Sequence, residues 1–238
     1  MTVLVKRKNA VLILLILFLS VAIFSIDGRT SPIAETIKEN TGAAIVIDAG
    51  HGGEDPGKVS NYSSLAEKDL NLRIAQLLKD LLEQDGYTVY MTRTEDKLNY
   101  SAGTKEIYQK RKQDLTARKK FIDESGADAV VSIHMNSFSE TKYYGAQTFY
   151  PPSSIDSERL AKNIQNALID VCDKTNKRTA LLKKERIILF RDLKVPTALV
   201  ECGFLSNPEE EAKLKTLEYQ ELLAKGIKKG IDSFFGKE

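Results

Sequence analysis

The chain contains two histidines, and each lies at the end of a short apolar segment. His51 follows the segment AAIVIDAG, and His134 ends the segment AVVSIH. A third apolar segment, TALVEC, carries Glu201 near its end. Neutral imidazoles are common zinc ligands, and a catalytic zinc takes three protein ligands and leaves one position for water. The two histidines are therefore candidate metal ligands, and Glu201 is a candidate ligand or proton carrier.

No histidine remains for the third ligand, so a carboxylate is expected there. The candidates near these segments are Asp48, Glu54, Asp55, Glu67 and Glu201. Glu67 begins a segment with helical spacing, where the helix dipole favours an anion. Because Ser64 stands three residues earlier, a capping box is an equal alternative, in which Glu67 bonds back to the Ser64 N–H. The pattern alone leaves both interpretations open.

The glycine-rich segment Gly52–Lys58 has the G-x₄-G-K spacing of a phosphate-binding loop. The next residue, Val59, lacks the hydroxyl that such a loop uses for magnesium, and Glu54 and Asp55 would repel phosphate. This evidence argues against a nucleotide site. The glycines instead indicate a backbone that turns sharply beside a bulky ligand.

The elements that must position these residues alternate between apolar strands and amphipathic helices. The predicted strands are Ala43–Ala49, Tyr87–Thr92, Ala129–His134, Gly145–Tyr150, Ile187–Phe190 and Thr197–Cys202. The predicted helices are Glu67–Asp85, then segments around 115–122 and 160–171, one after Asn207 and one around 223–234, while 94–112 is predicted as a surface excursion. This alternation predicts a single α/β domain with a mostly parallel central sheet of about six strands and helices on both faces. The functional site is then expected beyond the carboxyl ends of the strands.

The first 26 residues have the pattern of a targeting segment. The basic residues Lys6, Arg7 and Lys8 precede an apolar run over residues 10–26. We expect residues 1–26 to be a signal peptide or a membrane anchor, 27–42 a linker, and 43–238 the catalytic domain. The basic flank places the body outside the cytoplasm, and an uncleaved run 10–26 would contact the membrane. The formal net charge of +2 disfavours a nucleic-acid binder.

Four motifs together resemble the zinc-dependent N-acetylmuramoyl-L-alanine amidases of the amidase-3 family. They are IVIDAGHGGEDPG (Ile45–Gly57), EKDLNL (Glu67–Leu72), SIHMNS (Ser132–Ser137) and VECGFLSN (Val200–Asn207). The resemblance implies that His51, Glu67 and His134 bind one Zn²⁺ and that Glu201 is the catalytic acid/base. It implies hydrolysis of the amide between N-acetylmuramic acid and L-alanine in peptidoglycan. Arg93 and Arg118 fall where such amidases carry arginines, and structural salt bridges are expected for both.

The single-domain arrangement resembles the amidases of spore-forming bacteria that remove stem peptides from cortex peptidoglycan before muramic-δ-lactam forms. Control would then come from outside the domain, through an accessory or activating protein. The alternative is another exported zinc hydrolase of the cell wall, a peptidase or a deacetylase. A non-catalytic partner protein is a third hypothesis, and the complete set of ligands with Glu201 argues against it.

Cys202 follows Glu201 directly, so a role as zinc ligand must be considered. Neighbouring side chains of a strand point to opposite faces of the sheet. We therefore predict that Cys202 is a buried thiol on the face opposite Glu201. A disulfide with Cys172 is the alternative in an exported protein.

Overall fold

The computed structural model of the chain describes residues 42–152, 154–184 and 187–237. The predicted targeting segment, residues 1–26, and nearly all of the predicted linker lie outside these residues. Among the helices of the described residues, none has the length and apolar character needed to span a membrane.

Six strands form one sheet whose order is β2-β1-β3-β6-β4-β5. The strands are β1 (Ala44–Ala49), β2 (Thr88–Met91), β3 (Ala129–Asn136), β4 (Gln147–Tyr150), β5 (Leu181–Leu182) and β6 (Thr197–Phe204). All neighbouring pairs are parallel except β4 and β6, which run antiparallel. The predicted mostly parallel sheet of about six strands is therefore confirmed.

Five α-helices connect or follow these strands in the described residues: α1 (Glu67–Gln84), α2 (Ile107–Glu124), α3 (Ile155–Val171), α4 (Pro208–Leu214) and α5 (Leu217–Phe234). Helix α4 begins as its sequence predicts. Asn207 is its N-cap, and the side chain accepts hydrogen bonds from the N–H groups of Glu209 and Glu210. Pro208 takes the first helical position, where no intrahelical N–H bond is lost.

Two elements differ from the sequence prediction. The segment Ile187–Phe190, predicted as a strand, contains a 3₁₀ helix at Ile188–Phe190, and the strand of this region is instead β5, Leu181–Leu182. A short apolar run does not reveal its backbone conformation, and here Leu189 and Phe190 pack onto one face of the sheet from outside it. The predicted surface excursion 94–112 is also partly wrong, because α2 begins at Ile107.

Alternate residues of the central strands enter two separate hydrophobic clusters. Ile47, Ile133 and Val200 belong to the larger cluster, together with apolar residues of α1, α3 and α5. Val130 and Leu199 belong to a smaller cluster on the opposite side, completed by α2 and the 3₁₀ helix. Helices therefore cover both faces, as predicted. The face under α2 holds the smaller core and carries the polar strand ends.

Glu201 and Cys202 are neighbours in β6, and their side chains point to opposite faces of the sheet. Cys202 is fully buried in the larger cluster, whereas Glu201 lines a cavity on the face under α2. Cys172 and Cys202 are both free thiols, and burial raises the pKa of each. Cys202 is therefore a buried thiol in this structure, as its position in the strand predicts.

Candidate metal centre and active site

His51, Glu67 and His134 come together at the carboxyl ends of β1 and β3. Within the described residues they form a cluster whose potential ligand atoms all lie within 4.8 Å of one another. Glu67 Oε1 lies 3.3 Å from His51 Nε2 and 2.9 Å from His134 Nδ1. Two imidazoles and one carboxylate that face a common point are a donor set suited to a catalytic zinc. The cluster therefore fits a divalent metal such as Zn²⁺.

Glu67 is the first residue of α1, but it is not part of a capping box. The N-cap is Ala66, which makes no side-chain capping bond, and the Ser64 N–H donates to the Ser60 carbonyl. The Glu67 carboxylate instead accepts from the N–H groups of Lys58 and Met135. Burial by itself raises the pKa of Glu67, but its contacts with both histidines outweigh burial and lower it well below its usual range. The buried carboxylate is thus held ionised and directed at the cluster.

His51 is fixed from two sides. Its backbone has a φ of +63°, in the left-handed region that a side chain rarely adopts. Its Nδ1 lies 2.8 Å from Asp55 Oδ2, so the carboxylate orients the ring and leaves Nε2 toward Glu67. Burial by itself lowers the pKa of His51, but hydrogen bonds to Asp55 and Glu67 raise it to about 9. A carboxylate behind a histidine in this way is the usual partner of a metal-binding imidazole.

Arg118 of α2 binds the backbone at the carboxyl end of β1. Its guanidinium is 3% exposed, and it donates to the Ala49 and His51 carbonyls at 2.7 Å. It also forms ion pairs with Asp48 at 3.0 Å and Asp114 at 2.7 Å. The expected structural salt bridge of Arg118 is therefore present. Its second function is to hold the backbone from which His51 projects.

Asp48 lies beneath the cluster and is bound to Arg118, Ser132 and Thr92. Burial by itself raises the pKa of Asp48, but these partners, Arg118 first among them, lower it to about 2. Asp48 was one of the carboxylates that the sequence offered as a third ligand. It is a buried structural anion, and its oxygens are already occupied by protein groups.

Arg93 makes a different set of contacts from the salt bridge expected for it. Its guanidinium donates to backbone carbonyls, at distances between 2.7 and 3.1 Å, and those carbonyls belong to Ala49, Gly50, Lys68 and Glu95. Carbonyl groups where a strand ends and the chain leaves the sheet lack regular partners, and a carbonyl oxygen that already accepts one bond has a second lone pair, so a buried arginine can bind several of them. Arg93 thereby ties the β1 end to α1, the two elements that carry His51 and Glu67.

Two glycines are required by the close approach of the cluster side chains. A Cβ on Gly50 would lie 2.3 Å from the His134 ring. A Cβ on Gly57 would lie 2.6 Å from Glu67 Oε2 and 2.7 Å from the His51 ring, at a φ of +67°. The glycine-rich segment therefore gives the ligand side chains room to converge, and it does not form a phosphate cradle.

Glu201 lies beside the cluster and is not one of its members. In the register of β3 and β6 it is the partner of His134. Its Oε2 is buried and has no hydrogen-bond partner among the described residues. Burial is the largest influence on its pKa, which is raised above its usual value. A buried carboxylate with an unpartnered oxygen and a raised pKa can both accept and return a proton.

A cavity of about 330 Å³ opens beside the cluster and extends under α2. His51, His134 and Glu201 line it, together with the apolar side chains of Leu189 and Phe190 from the 3₁₀ helix. Its size and its mixture of apolar wall and convergent polar groups are typical of a small-ligand site.

The other carboxylates that the sequence offered as a third ligand are bound to other side chains of the protein. Glu54 is exposed and pairs with Lys110. Asp55 supports His51 through Nδ1.

Arg111 and Lys183 also line the cavity, and sequence reasoning missed both. Arg111 lies about one helical turn before Asp114 and about two turns before Arg118, so the three side chains share one face of α2. This spacing was a signal in the sequence that could have identified Arg111.

Fold and site together define an α/β domain with two histidines and a carboxylate that could hold a metal ion at the carboxyl edge of its sheet. Residues 45–233 match the Amidase_3 family, described as N-acetylmuramoyl-L-alanine amidase. The chain belongs to this family, and it is an enzyme of the amidase class. The predicted resemblance is therefore confirmed.

Similar proteins agree with this membership. The germination-specific N-acetylmuramoyl-L-alanine amidase of Bacillus subtilis is 37% identical over 195 residues, which cover 82% of this chain and 81% of that protein. The CwlD amidase of Clostridioides difficile, solved in complex with the GerS lipoprotein, has a TM-score of 0.79 at 44% identity and covers 82% of this chain and 98% of that one. The amidase AmiC2 of Nostoc punctiforme has a TM-score of 0.68 at 30% identity, over 82% and 98% of the two chains.

Proposed function

We propose that the chain is a zinc-dependent hydrolase of the amide between N-acetylmuramic acid and L-alanine in peptidoglycan. In this proposal His51, Glu67 and His134 hold one Zn²⁺, and Glu201 is the catalytic acid/base. The observation that carries it is the convergence of the three ligands beside a buried, unpartnered Glu201 oxygen. Family membership supplies the substrate class.

When bound, zinc polarises the scissile carbonyl and acidifies water at the site. Glu201 Oε2 accepts the proton of the attacking water and then donates it to the nitrogen of L-alanine, since an amide nitrogen leaves only when protonated. The raised pKa of Glu201 favours this second transfer. Asp55 keeps the His51 ring in place, and Arg118 holds the His51 carbonyl while the charge of the site changes.

The finer biological assignment is spore cortex peptidoglycan, with stem peptides removed before muramic-δ-lactam forms. It is supported by the germination-specific relative and by the CwlD structure. The neighbour's complex with a lipoprotein supports an accessory protein for this chain as well. We further propose that residues 1–26 export the protein as a signal peptide or a membrane anchor, that 27–42 are a linker, and that 43–238 are catalytic.

Mass spectrometry of muropeptides tests the reaction directly. Purified cortex and vegetative peptidoglycan are digested with the chain in the presence of Zn²⁺. The expected products are stem peptides with a free L-alanine amino terminus and glycan strands of unchanged length. Cleavage within the stem peptide, or loss of acetyl groups alone, would instead identify a peptidase or a deacetylase. Faster digestion of cortex than of vegetative wall is expected if the finer assignment holds.

Removal of the metal tests the cofactor. Dialysis against a chelator should abolish the release of stem peptides, and Zn²⁺ should restore it. Because the site has three protein ligands and not four, we expect zinc to be removed more readily than from a closed structural site. Elemental analysis of the purified chain should give one zinc per chain, and full activity in a metal-free sample would contradict the proposal.

A further inference from the structure

Arg111 is the exposed cation at the edge of the active-site cavity. It lies on α2 and lines the cavity together with His51 and Glu201. Its side chain is 45% exposed, and within the described residues its one hydrogen-bonded partner is the Asp55 carboxylate, reached through a single terminal nitrogen. A guanidinium has five N–H donors in a planar fork, so most of its donors remain available to a ligand.

Arg118, on the same helix, shows the opposite arrangement. It also lines the cavity, but it is buried and bound to two carboxylates and two carbonyls. Arg118 is therefore a structural residue, whereas Arg111 has the exposure and the free donors of a recognition residue. The carboxylates Asp48, Asp55 and Asp114 that line the cavity are each paired with an arginine, so an incoming anion meets little unpaired negative charge at the Arg111 end.

We propose that Arg111 binds a carboxylate of the stem peptide, namely the α-carboxylate of the D-glutamate that follows L-alanine. This inference rests on the proposed function. The second residue of the stem is linked through its γ-carboxyl, so its α-carboxylate is free and lies close to the scissile amide. Arg111 would then be a specificity-determining residue that recognises the leaving peptide and takes no part in the chemistry.

The position of Arg111 suits the short distance between the scissile amide and the α-carboxylate of the second stem residue. Its guanidinium is separated from the ligand cluster by the Asp55 carboxylate and the His51 imidazole, which are hydrogen-bonded in series. Two residues of an extended peptide span at most about 7 Å. Because only the Asp55 carboxylate separates Arg111 from His51, a carboxylate two residues from an amide at the cluster can reach Arg111. Leu115 also lines the cavity and can receive the methyl group of L-alanine.

The chemistry of the cavity favours the peptide over the glycan. The sugars beside the scissile bond are neutral and rich in hydroxyl groups, and the glycan strand continues in both directions from the reacting muramic acid. The cavity instead is lined by buried apolar side chains, Leu189 and Phe190, and has a cation at its edge. A peptide with a methyl group and a carboxylate can use both kinds of contact.

A cycle of two substrates and two enzymes tests the assignment. The substrates are N-acetylmuramoyl tripeptides that differ only in the second residue, D-glutamate or its α-amide, D-isoglutamine. The full chain is assayed with Zn²⁺ as wild type and as Arg111→Ala. We expect wild type to prefer the carboxylate substrate by about 10- to 100-fold in kcat/KM, the usual effect of a charge-assisted hydrogen bond. Arg111→Ala should lose this preference, so that its kcat/KM becomes similar on the two substrates.

Matched variants separate recognition from structure. Lys112→Ala removes the next, exposed cation of α2, which does not line this cavity, and should retain the preference. Arg111→Lys should retain part of it, because a lysine keeps the charge but not the fork. Titration of each enzyme with the product dipeptides L-Ala-γ-D-Glu and L-Ala-D-isoGln should show the same pattern in Kd without turnover.

Several results would overturn the inference. An equal loss on both substrates, or a loss of zinc from Arg111→Ala, would mean that Arg111 acts through Asp55 and His51. If Lys183→Ala abolished the preference while Arg111→Ala retained it, the carboxylate would be recognised at the other side of the cavity. Cleavage of neither substrate by wild type would contradict the proposed function itself, and the inference would fall with it.

Discussion

The two faces of the central sheet use alternate residues of the same strands for different purposes. On one face, Ile133 and Val200 pack with α1, α3 and α5 in the larger cluster. On the other face, the next residues, His134 and Glu201, line the cavity under α2. Burial of apolar area is the main source of stability, whereas a cavity lined by polar groups contributes little. Stability and chemistry are therefore carried by neighbouring residues that point in opposite directions.

The largest expected effect is on the chemical step at Glu201. Glu201→Gln keeps the size of the side chain but removes the base, so kcat should fall by about 10²- to 10⁴-fold. Zinc content and the free energy of unfolding should stay near wild type, because the metal ligands are elsewhere. Glu67→Gln should instead lose zinc, since a neutral amide is a poorer ligand than a carboxylate. Zinc stoichiometry and turnover are measured for both variants. Loss of zinc from Glu201→Gln, together with retained zinc and activity in Glu67→Gln, would refute these roles.

A pair of adjacent substitutions in β3 tests the division between the two faces. Ile133→Ala creates a cavity in the larger cluster and should lower the free energy of unfolding by about 2–5 kcal/mol. The folded fraction should still bind zinc. His134→Ala should show the reverse, with zinc lost and a smaller change in stability. Denaturant unfolding and zinc analysis are the measurements, and zinc loss from folded Ile133→Ala would show that the two faces are coupled.

The smallest of these effects is expected at Asp55, which contacts His51, a proposed ligand, and would not contact the metal itself. Asp55→Asn should weaken zinc affinity by about 10- to 100-fold, because it removes the carboxylate that orients and polarises His51. Glu54→Gln is the control, since its exposed carboxylate pairs with Lys110 and does not reach His51. Competition with a chromophoric chelator gives both affinities. Equal affinities in the two variants would mean that the fold positions His51 without Asp55.

The sequence predicted the site better than it predicted the local structure around it. His51, His134 and Glu201 were singled out because they stand at the ends of apolar strands whose carboxyl ends must meet at one edge of a parallel sheet, whereas Glu67 was chosen through the family resemblance. The structure brings His51, Glu67 and His134 together, and their roles in binding metal stay a prediction. The 3₁₀ helix Ile188–Phe190 was taken for a strand, because a short apolar segment has the same composition in either conformation. The start of α2 at Ile107 was missed because its first turns are polar and largely exposed.

The capping box shows why a local motif can mislead. Ser64 and Glu67 have the required spacing, and an isolated helix could use it. In the folded chain, the Lys58 and Met135 N–H groups and the two histidines all contact the Glu67 carboxylate. All four partners are supplied by β3 and by the loop between β1 and α1, so the helix segment alone could not show where the carboxylate would bind.

By itself, the sequence determined the α/β fold and the edge of the sheet at which the site lies, and it offered two histidines and several carboxylates there as candidates for binding metal. Those properties follow from the alternation of apolar segments and from the residue types at their ends. Tertiary structure alone decided that Asp55 supports His51, that Arg118 is buried and Arg111 exposed, and that Gly50 must lack a side chain. These depend on distances between segments far apart in the chain, which close packing fixes and local patterns do not contain.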